Sequence, residues 1–245
     1  MDRGRLPHPR GIYFNGAGVK RDIPLAIRFA CESEVGLAKL ALPEIAKLHG
    51  SPHSAGPFEF CDYAASTLTL NFCGSYASEI EEDRRNRFYN WLNSSMTPEQ
   101  QTALEKLLVA EKAYTKTHAL EVDQGGSIRG VRTLGSQRIL EELFRTDVVH
   151  FERRKWPSLS ANQLTMADTS LHREFMKAVL AVTNSAKEAA DQGAVTAASL
   201  YTVQESWRNY RDAWVAFARL RYPGGLAPIR AKITLDRCRL LKTIR

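Results

Sequence analysis

A helical pattern that occurs twice in the same order constrains the fold more than any other feature of the sequence. Residues 80–90 (IEEDRRNRFYN) align with 166–176 (MADTSLHREFM), and 110–119 (AEKAYTKTHA) align with 203–212 (VQESWRNYRD). Each half then has a Gly-Gly pair, at 125–126 or 224–225, followed by Arg138 or Arg237. The shared order predicts one unit used twice: a helix, a long helix, a glycine turn and a closing helix. Chance similarity between amphipathic helices is the alternative. Since one unit buries little core, we expect two to pack together.

Start and stop signals predict where these helices lie. Thr97-Pro98-Glu99-Gln100 supplies an N-cap threonine, a proline at the first helical position and a glutamine three residues after the cap. It therefore predicts a helix that runs from there to about Val122. Strand-like alternation is confined to residues 67–70, which is too short for a sheet. The sequence predicts an all-α fold, with further helices at about 79–92, 128–151, 164–191, 196–222 and 228–244.

Two turn-rich stretches, 49–57 and 155–158, suggest the domain boundaries. Residues 1–56 are predicted to form a basic arm and an N-terminal helical extension. Residues 57–155 form the first helical unit and residues 156–245 the second. The predicted architecture is a helical bundle built from two related multi-helix units plus this extension.

The formal charge of +7 is concentrated at the two ends of the chain, in residues 1–30 and 204–245, and the middle is acidic. Basic ends attract nucleic acid, anionic lipid, cell-wall polymer or an acidic protein. No zinc-finger, homeodomain or RNA-recognition motif is present, which argues against specific nucleic-acid binding. No apolar run is long enough for a membrane span. Residues 1–21 also lack the apolar region of a signal peptide, which leaves open a removed signal, an unusual start or a cytosolic protein.

Residues of the second unit form a pattern of three parts, an opening, a centre and a close: Ala167, Asp168, Leu171 and Phe175; Gln204, Trp207, Tyr210, Arg211 and Asp212; Gly224, Gly225, Thr234, Arg237 and Leu241. Through this pattern the second unit resembles the LprI-like family of bacterial envelope proteins, a domain of unknown function that is named after a mycobacterial lysozyme inhibitor. In the first unit, Phe58, Phe60, Cys61, residues 64–67 and Cys73 are similar to the family's opening. His172 departs from the family pattern, which has an asparagine there. The resemblance covers residues 58–242.

The resemblance also implies a disulfide between Cys61 and Cys73, twelve residues apart. Cys31 and Cys238 then remain, either bridged to each other or present as two free buried thiols. Disulfides would place the protein in an oxidising compartment, the periplasm or the outside of the cell.

The function that the resemblance implies is inhibition. The protein would bind a cell-wall-degrading or other toxic enzyme, as a lysozyme inhibitor or toxin immunity protein does, and occlude its active site without chemistry of its own. An envelope scaffold or adaptor without inhibitory role is the alternative, and an anionic-polymer binder is a third. The predicted partner-binding parts are the glycine-rich turns at 123–127 and 223–227, or the linker 150–160. The candidate residues in and beside the two turns are Asp123, Gln124, Gly125, Gly126, Ser127, Tyr222, Gly224 and Gly225.

Four other prominent residues, Trp207, Arg211, Asp212 and Arg237, are predicted to be structural. Arg211 follows Trp207 by four residues, so its guanidinium can cover that ring while a carboxylate from another helix pairs with it.

Sequence signatures of catalysis and metal binding are missing. No nucleophile and base share a recognisable local pattern, and we therefore predict a non-enzyme without cofactor. His49 and His53 are separated by glycine and proline, which argues against a metal site.

Overall fold

The computed structural model describes residue 13 and residues 19–32, 67–122, 125, 128–185 and 194–244. Within these residues there are α-helices and two short 3₁₀ turns, and no strand, so the all-α prediction is confirmed. The 3₁₀ turns are Ala119–Glu121 and Pro223–Gly225. The helices are α1 (Ile23–Glu32), α2 (Thr67–Asn93), α3 (Pro98–His118), α4 (Arg129–Glu152), α5 (Ala161–Ser185), α6 (Ala197–Arg221) and α7 (Leu226–Leu241).

The predicted start of α3 is confirmed in atomic detail. The Thr97 side chain accepts a hydrogen bond from the Gln100 backbone N–H, and the Gln100 side chain accepts one from the Thr97 N–H. This reciprocal capping box satisfies two donors that the first turn would otherwise leave unpaired. Residues 67–70, which alternate like a strand, form the first turn of α2 instead. Helical context decides their conformation, because α2 continues from them without interruption.

The chain divides into two compact units, residues 1–84 and 85–245, and α2 contributes residues to both. In the first unit, Asp22 Oδ1 accepts a hydrogen bond from the Leu25 N–H at 2.9 Å and caps α1. The rings of Tyr13 and Phe29 stack with centroids 5.5 Å apart.

Residues 85–245 are held together by contacts between the two predicted repeats and by contacts within the second one. α3 packs most extensively against α6, its counterpart in the predicted repeat, and α5 packs against α7 within the second repeat. Tyr114 of α3 stacks on Tyr210 of α6 with ring centroids 5.2 Å apart. The predicted boundary at 155/156 therefore falls inside one compact unit, because the helices on its two sides share a single core.

Aromatic side chains fill the centre of this core. Trp214 is fully buried, and the rings of Phe144 and Phe151 meet it edge to face at 5.3 and 5.5 Å. α2 adds Tyr89 and Leu92 to the same core. By contrast, Trp91 is 68% exposed, so the buried face of α2 includes Leu92 and not Trp91.

The glycine turn after α6 offers a matched pair of substitutions. A Cβ atom on Gly225 would lie 2.6 Å from the Trp156 ring, whereas one on Gly224 would meet nothing within 4 Å. We expect Gly225→Ala to lower the free energy of unfolding by about 1–3 kcal/mol through overpacking. Gly224→Ala should change it by less than about 0.5 kcal/mol. Urea unfolding followed by tryptophan fluorescence checks both, and equal effects would contradict the packing of Trp156 on Gly225.

Candidate functional site

The glycine turn at 222–225 was expected to contact a partner, and the structure divides its residues between two roles. Tyr222 is fully buried, and its hydroxyl donates a 2.7 Å hydrogen bond to Glu152 Oε1. Gly225 is buried beneath Trp156. This corrects the expectation that Tyr222 and Gly225 contact a partner. Both residues are packed inside the bundle, and neither is accessible to solvent. Only Gly224, with Pro223 beside it, is exposed.

The other predicted turn is described at one residue only. The Gly125 carbonyl accepts a 3.4 Å hydrogen bond from Arg132 Nη1. Asp123, Gln124, Gly126 and Ser127 lie outside the described residues, so their role in partner binding stays a prediction. His49 and His53, for which the sequence argues against a metal site, also lie outside the described residues.

Three inter-helix corners meet at the end of the bundle where the 222–225 turn lies: residues 93–97, 152–156 and 221–225. We call this the corner surface. Arg221 joins all three corners, since its Nε and Nη2 donate to the Glu152 carboxylate at 3.0 and 2.9 Å and its Nη1 donates to the Ser95 carbonyl at 3.4 Å. The loops are therefore fixed relative to one another by charged hydrogen bonds, which are stronger than neutral ones.

Glu152 is the centre of this network. Burial opposes its ionisation, but hydrogen bonds from Arg221 and Tyr222 outweigh burial and lower the pKa of its carboxyl below the usual value. Glu152 is therefore ionised at neutral pH and holds Arg221 in place.

Arg154 adopts a conformation that favours glycine. Its φ is 54°, in the left-handed region, and it lies just beyond the end of α4. The Arg154 N–H donates to the Phe151 carbonyl and the Lys155 N–H to the His150 carbonyl, the Schellman pattern of helix ends. An arginine at this position costs about 1 kcal/mol relative to glycine.

The Arg154 side chain also braces the neighbouring corner. Its guanidinium lies 5.8 Å from the Tyr222 ring centroid and donates a 3.2 Å hydrogen bond to the Arg221 carbonyl. The exposed side chains beside it are basic: Arg153 and Lys155. The corner surface is thus rigid and positively charged.

Of the residues predicted to be structural, Trp207 and Arg237 are buried, Arg211 is half-buried and Asp212 is exposed. Trp207 is buried, and the Arg211 guanidinium lies 5.0 Å from its ring centroid. Arg211 also pairs with Asp168 of α5 at 3.4 Å and with its neighbour Asp212 at 3.1 Å. This is the geometry that the spacing predicts: the ring is covered by Arg211, and a carboxylate from another helix pairs with it.

Arg237 forms the most deeply buried ion pair of the described residues. Its Nη1 and Nη2 donate to the two oxygens of Glu121 at 2.6 and 2.5 Å, and the two side chains are 0% and 1% exposed. Its Nε donates to Gln204 Oε1 at 3.1 Å. Sequence reasoning did not identify Glu121, because it lies 116 residues earlier in the chain.

A second feature is a cavity of about 200 Å³ where helices of the two predicted repeats meet. We call it the seam cavity. Its walls come from α3, α4, α6 and α7, with aromatic side chains from three of them. Its walls include four aromatic side chains and four charged ones: Tyr114, Phe144, Trp207, Tyr210, Glu111, Asp147, Asp236 and Arg237.

Two carboxyl groups in this cavity have strongly perturbed acidity. Burial raises the pKa of Glu111 to about 7, against a partial offset from the Thr115 hydroxyl. Burial also raises the pKa of Asp147 to about 6, which its ion pair with Lys232 partly offsets. Groups shifted by burial in this way cluster at functional sites. The sequence contains a signal for Glu111, since it is an acidic residue on the apolar face of α3, among Leu104, Leu107 and Tyr114.

The cysteines are resolved in part. Cys238 is a free, buried thiol, so the suggested Cys31–Cys238 bridge is not present. Cys73 lies on α2, but Cys61 is outside the described residues, and the Cys61–Cys73 bridge stays a prediction.

Among the described residues, no helix combines the length and apolar composition needed to cross a bilayer. No protein-family model matches the chain, and neither a curated protein nor a solved structure matches it.

Proposed function

We propose that the protein is a non-catalytic envelope protein that binds a cell-wall-degrading or other toxic enzyme and occludes its active site with the corner surface. The observation that carries the proposal is the network around Arg221 and Glu152, which fixes three exposed corners into one rigid surface. Loops held by a rigid scaffold are where binding residues concentrate. A preordered surface loses less conformational entropy on binding than a mobile one.

The chemistry of this surface indicates an acidic partner. Arg153, Arg154 and Lys155 are exposed together at its centre. Complementary charge accelerates association, whereas a basic enzyme would be repelled by these side chains and by the net charge of +7. An acidic toxin or wall hydrolase therefore fits better than a basic lysozyme.

The finer assignment to inhibitor or immunity protein rests on the residues that resemble the LprI-like family. Several of them support the corner surface indirectly, since Trp207 and Arg237 order α6 and α7 on either side of the glycine turn. A periplasmic or extracellular location belongs to the same proposal.

The test is a panel of acidic and basic peptidoglycan hydrolases assayed on labelled cell wall with and without the protein. We expect at least one acidic hydrolase to be bound and inhibited. Reversing two charges with Arg153→Glu and Lys155→Glu should weaken that inhibition at least tenfold, because the corner surface then repels the acidic partner.

Arg208→Glu is the matched control for charge reversal. Arg208 is exposed on α6, and thirteen residues of helix place it about 20 Å from Arg221. Its variant should inhibit within about twofold of the unchanged protein. If charge reversal at Arg208 weakened inhibition as much as charge reversal at Arg153 and Lys155, or if no hydrolase were inhibited, the result would count against the proposal. Binding that leaves the hydrolase active would identify a scaffold or adaptor instead.

A further inference from the structure

The seam cavity has an uneven distribution of charge along its walls. Arg237 is held by Glu121, and Asp147 and Asp236 are both held by Lys232 at 2.7 and 2.6 Å. Glu111 accepts a 3.1 Å hydrogen bond from the Thr115 hydroxyl, and no ion pair joins it to a cation among the described residues. The carboxylate of Glu111 is therefore the one lining charge whose countercharge is missing from this part of the chain.

The space beside Glu111 is apolar and aromatic. Tyr114, Phe144, Trp207 and Tyr210 line it, and all four are buried. The volume of about 200 Å³ exceeds that of an apolar cavity known to hold benzene, so it fits roughly six to nine non-hydrogen atoms. Leu143 of α4 and Arg239 of α7 are both exposed and both line the cavity, which places its opening between these two helices.

We infer that the seam cavity binds a small organic amine, with its ammonium group on Glu111 and its apolar body among the aromatic walls. An ammonium group supplies the missing countercharge and up to three hydrogen-bond donors. Aromatic faces attract a cation as well as an apolar body. A neutral ligand supplies no charge to the ionised carboxylate and an anionic ligand would be repelled by it, so an ammonium group is the better match for Glu111. The corner surface takes no part in this site, so the inference does not depend on the proposed function.

The acidity of Glu111 makes amine binding depend on pH. The pKa of Glu111 is near 7, and an amine binds only the protein molecules in which Glu111 is ionised. The apparent affinity for the amine should therefore fall about tenfold per pH unit below pH 7. Four other charged side chains act on the pKa of Glu111 or Tyr210: Arg85 of α2, Lys112 of α3, and Glu141 and Asp147 of α4. Arg85 is paired with Glu141 at 2.7 Å, and its attraction for Glu111 only partly offsets the effect of burial.

Isothermal titration with benzylamine tests the inference, and benzyl alcohol serves as the neutral ligand of the same shape. At pH 8 we expect benzylamine to bind at least tenfold more tightly than benzyl alcohol. Glu111→Gln should reduce benzylamine affinity at least tenfold, leave benzyl alcohol within about threefold, and remove the part of the pH dependence that is centred near pH 7. Glu105→Gln, an exposed acidic residue on the same helix, should change neither affinity.

Equal affinities for the two ligands, or a preference for benzylamine that survives Glu111→Gln, would overturn the inference. Circular dichroism establishes that each variant is folded, and the comparison of the two ligands on the unchanged protein tests the inference without any variant. Nα-acetyl-lysine amide distinguishes two sources of the ammonium group. If it competes with benzylamine, the site accepts a lysine side chain of a protein, and if it does not, the site takes a free amine.

Discussion

Replacing Arg237 by methionine is expected to lower the free energy of unfolding by about 3–5 kcal/mol, because it leaves the Glu121 carboxylate buried without a partner. The two side chains are 0% and 1% exposed, and Glu121 contacts no other charged group as closely as Arg237. His118 lies 3.4 Å from Glu121, but burial lowers the pKa of its imidazole, so it does not supply a compensating charge at neutral pH. Urea unfolding monitored by circular dichroism measures the loss.

Two further variants separate the ion pair from the loss of an arginine stem. Arg239→Met removes an exposed arginine from the same helix, where surface pairing with Asp236 is worth less than about 1 kcal/mol. The double variant Arg237→Met with Glu121→Leu should recover most of the stability, because no charge is then left buried. If Arg237→Met lowered the free energy of unfolding no more than Arg239→Met, the Arg237–Glu121 pair would not be needed to compensate a buried charge.

Replacing Glu111 by glutamine is expected to stabilise the protein by about 1–3 kcal/mol at pH 8 and by much less at pH 5. The pKa of the carboxyl rises from 4.5 to about 7 on folding, so the native state binds more protons than the unfolded state between these values. Stability therefore falls as the pH rises through this window, and the loss is complete above about 7. The neutral glutamine variant lacks this dependence.

Thermal or urea unfolding at pH 5, 6, 7 and 8 checks this prediction. Glu105→Gln is the control, because Glu105 is exposed one and a half turns earlier on α3. Its unfolding free energy should stay within about 0.5 kcal/mol of the unchanged protein at each pH. A Glu111→Gln variant that is less stable than the unchanged protein at pH 8 would show that the carboxylate has a favourable partner and is not a strained charge.

Helix positions could be predicted from the sequence because their signals are local. Thr97, Pro98 and Gln100 specify the start of α3 within four residues, and the capping box forms as expected. The relation between Trp207 and Arg211 is equally local, since both lie on one helix four residues apart. On α2, by contrast, no local signal tells which of the neighbours Trp91 and Leu92 is buried, and the structure buries Leu92.

The sites could not be predicted because they depend on residues far apart in the chain. Arg221 meets Ser95 across 126 residues and Glu152 across 69, and neither pairing has a sequence signature. The left-handed conformation of Arg154 is hidden for a different reason, since a glycine is the usual signal for it. Tyr222 was misjudged because it adjoins a glycine turn, yet its ring packs against Phe151 and Phe217.

Both candidate sites follow from the way the predicted repeats pack together. The seam cavity lies between helices of the two repeats, and the corner surface lies where their inter-helix connections meet. Each is surrounded by buried aromatic side chains, which hold the helices rigidly. A binding surface of this kind is set by packing and changes little when a partner docks.

The central claim, that the corner surface contacts the partner enzyme, is tested most directly by hydrogen–deuterium exchange on the complex with a hydrolase that the protein inhibits. Backbone amides at 93–97, 152–156 and 221–225 should become protected on binding, while those at 176–184 of α5 should exchange as in the free protein. Protection confined to α5, with the three corners unchanged, would contradict the claim.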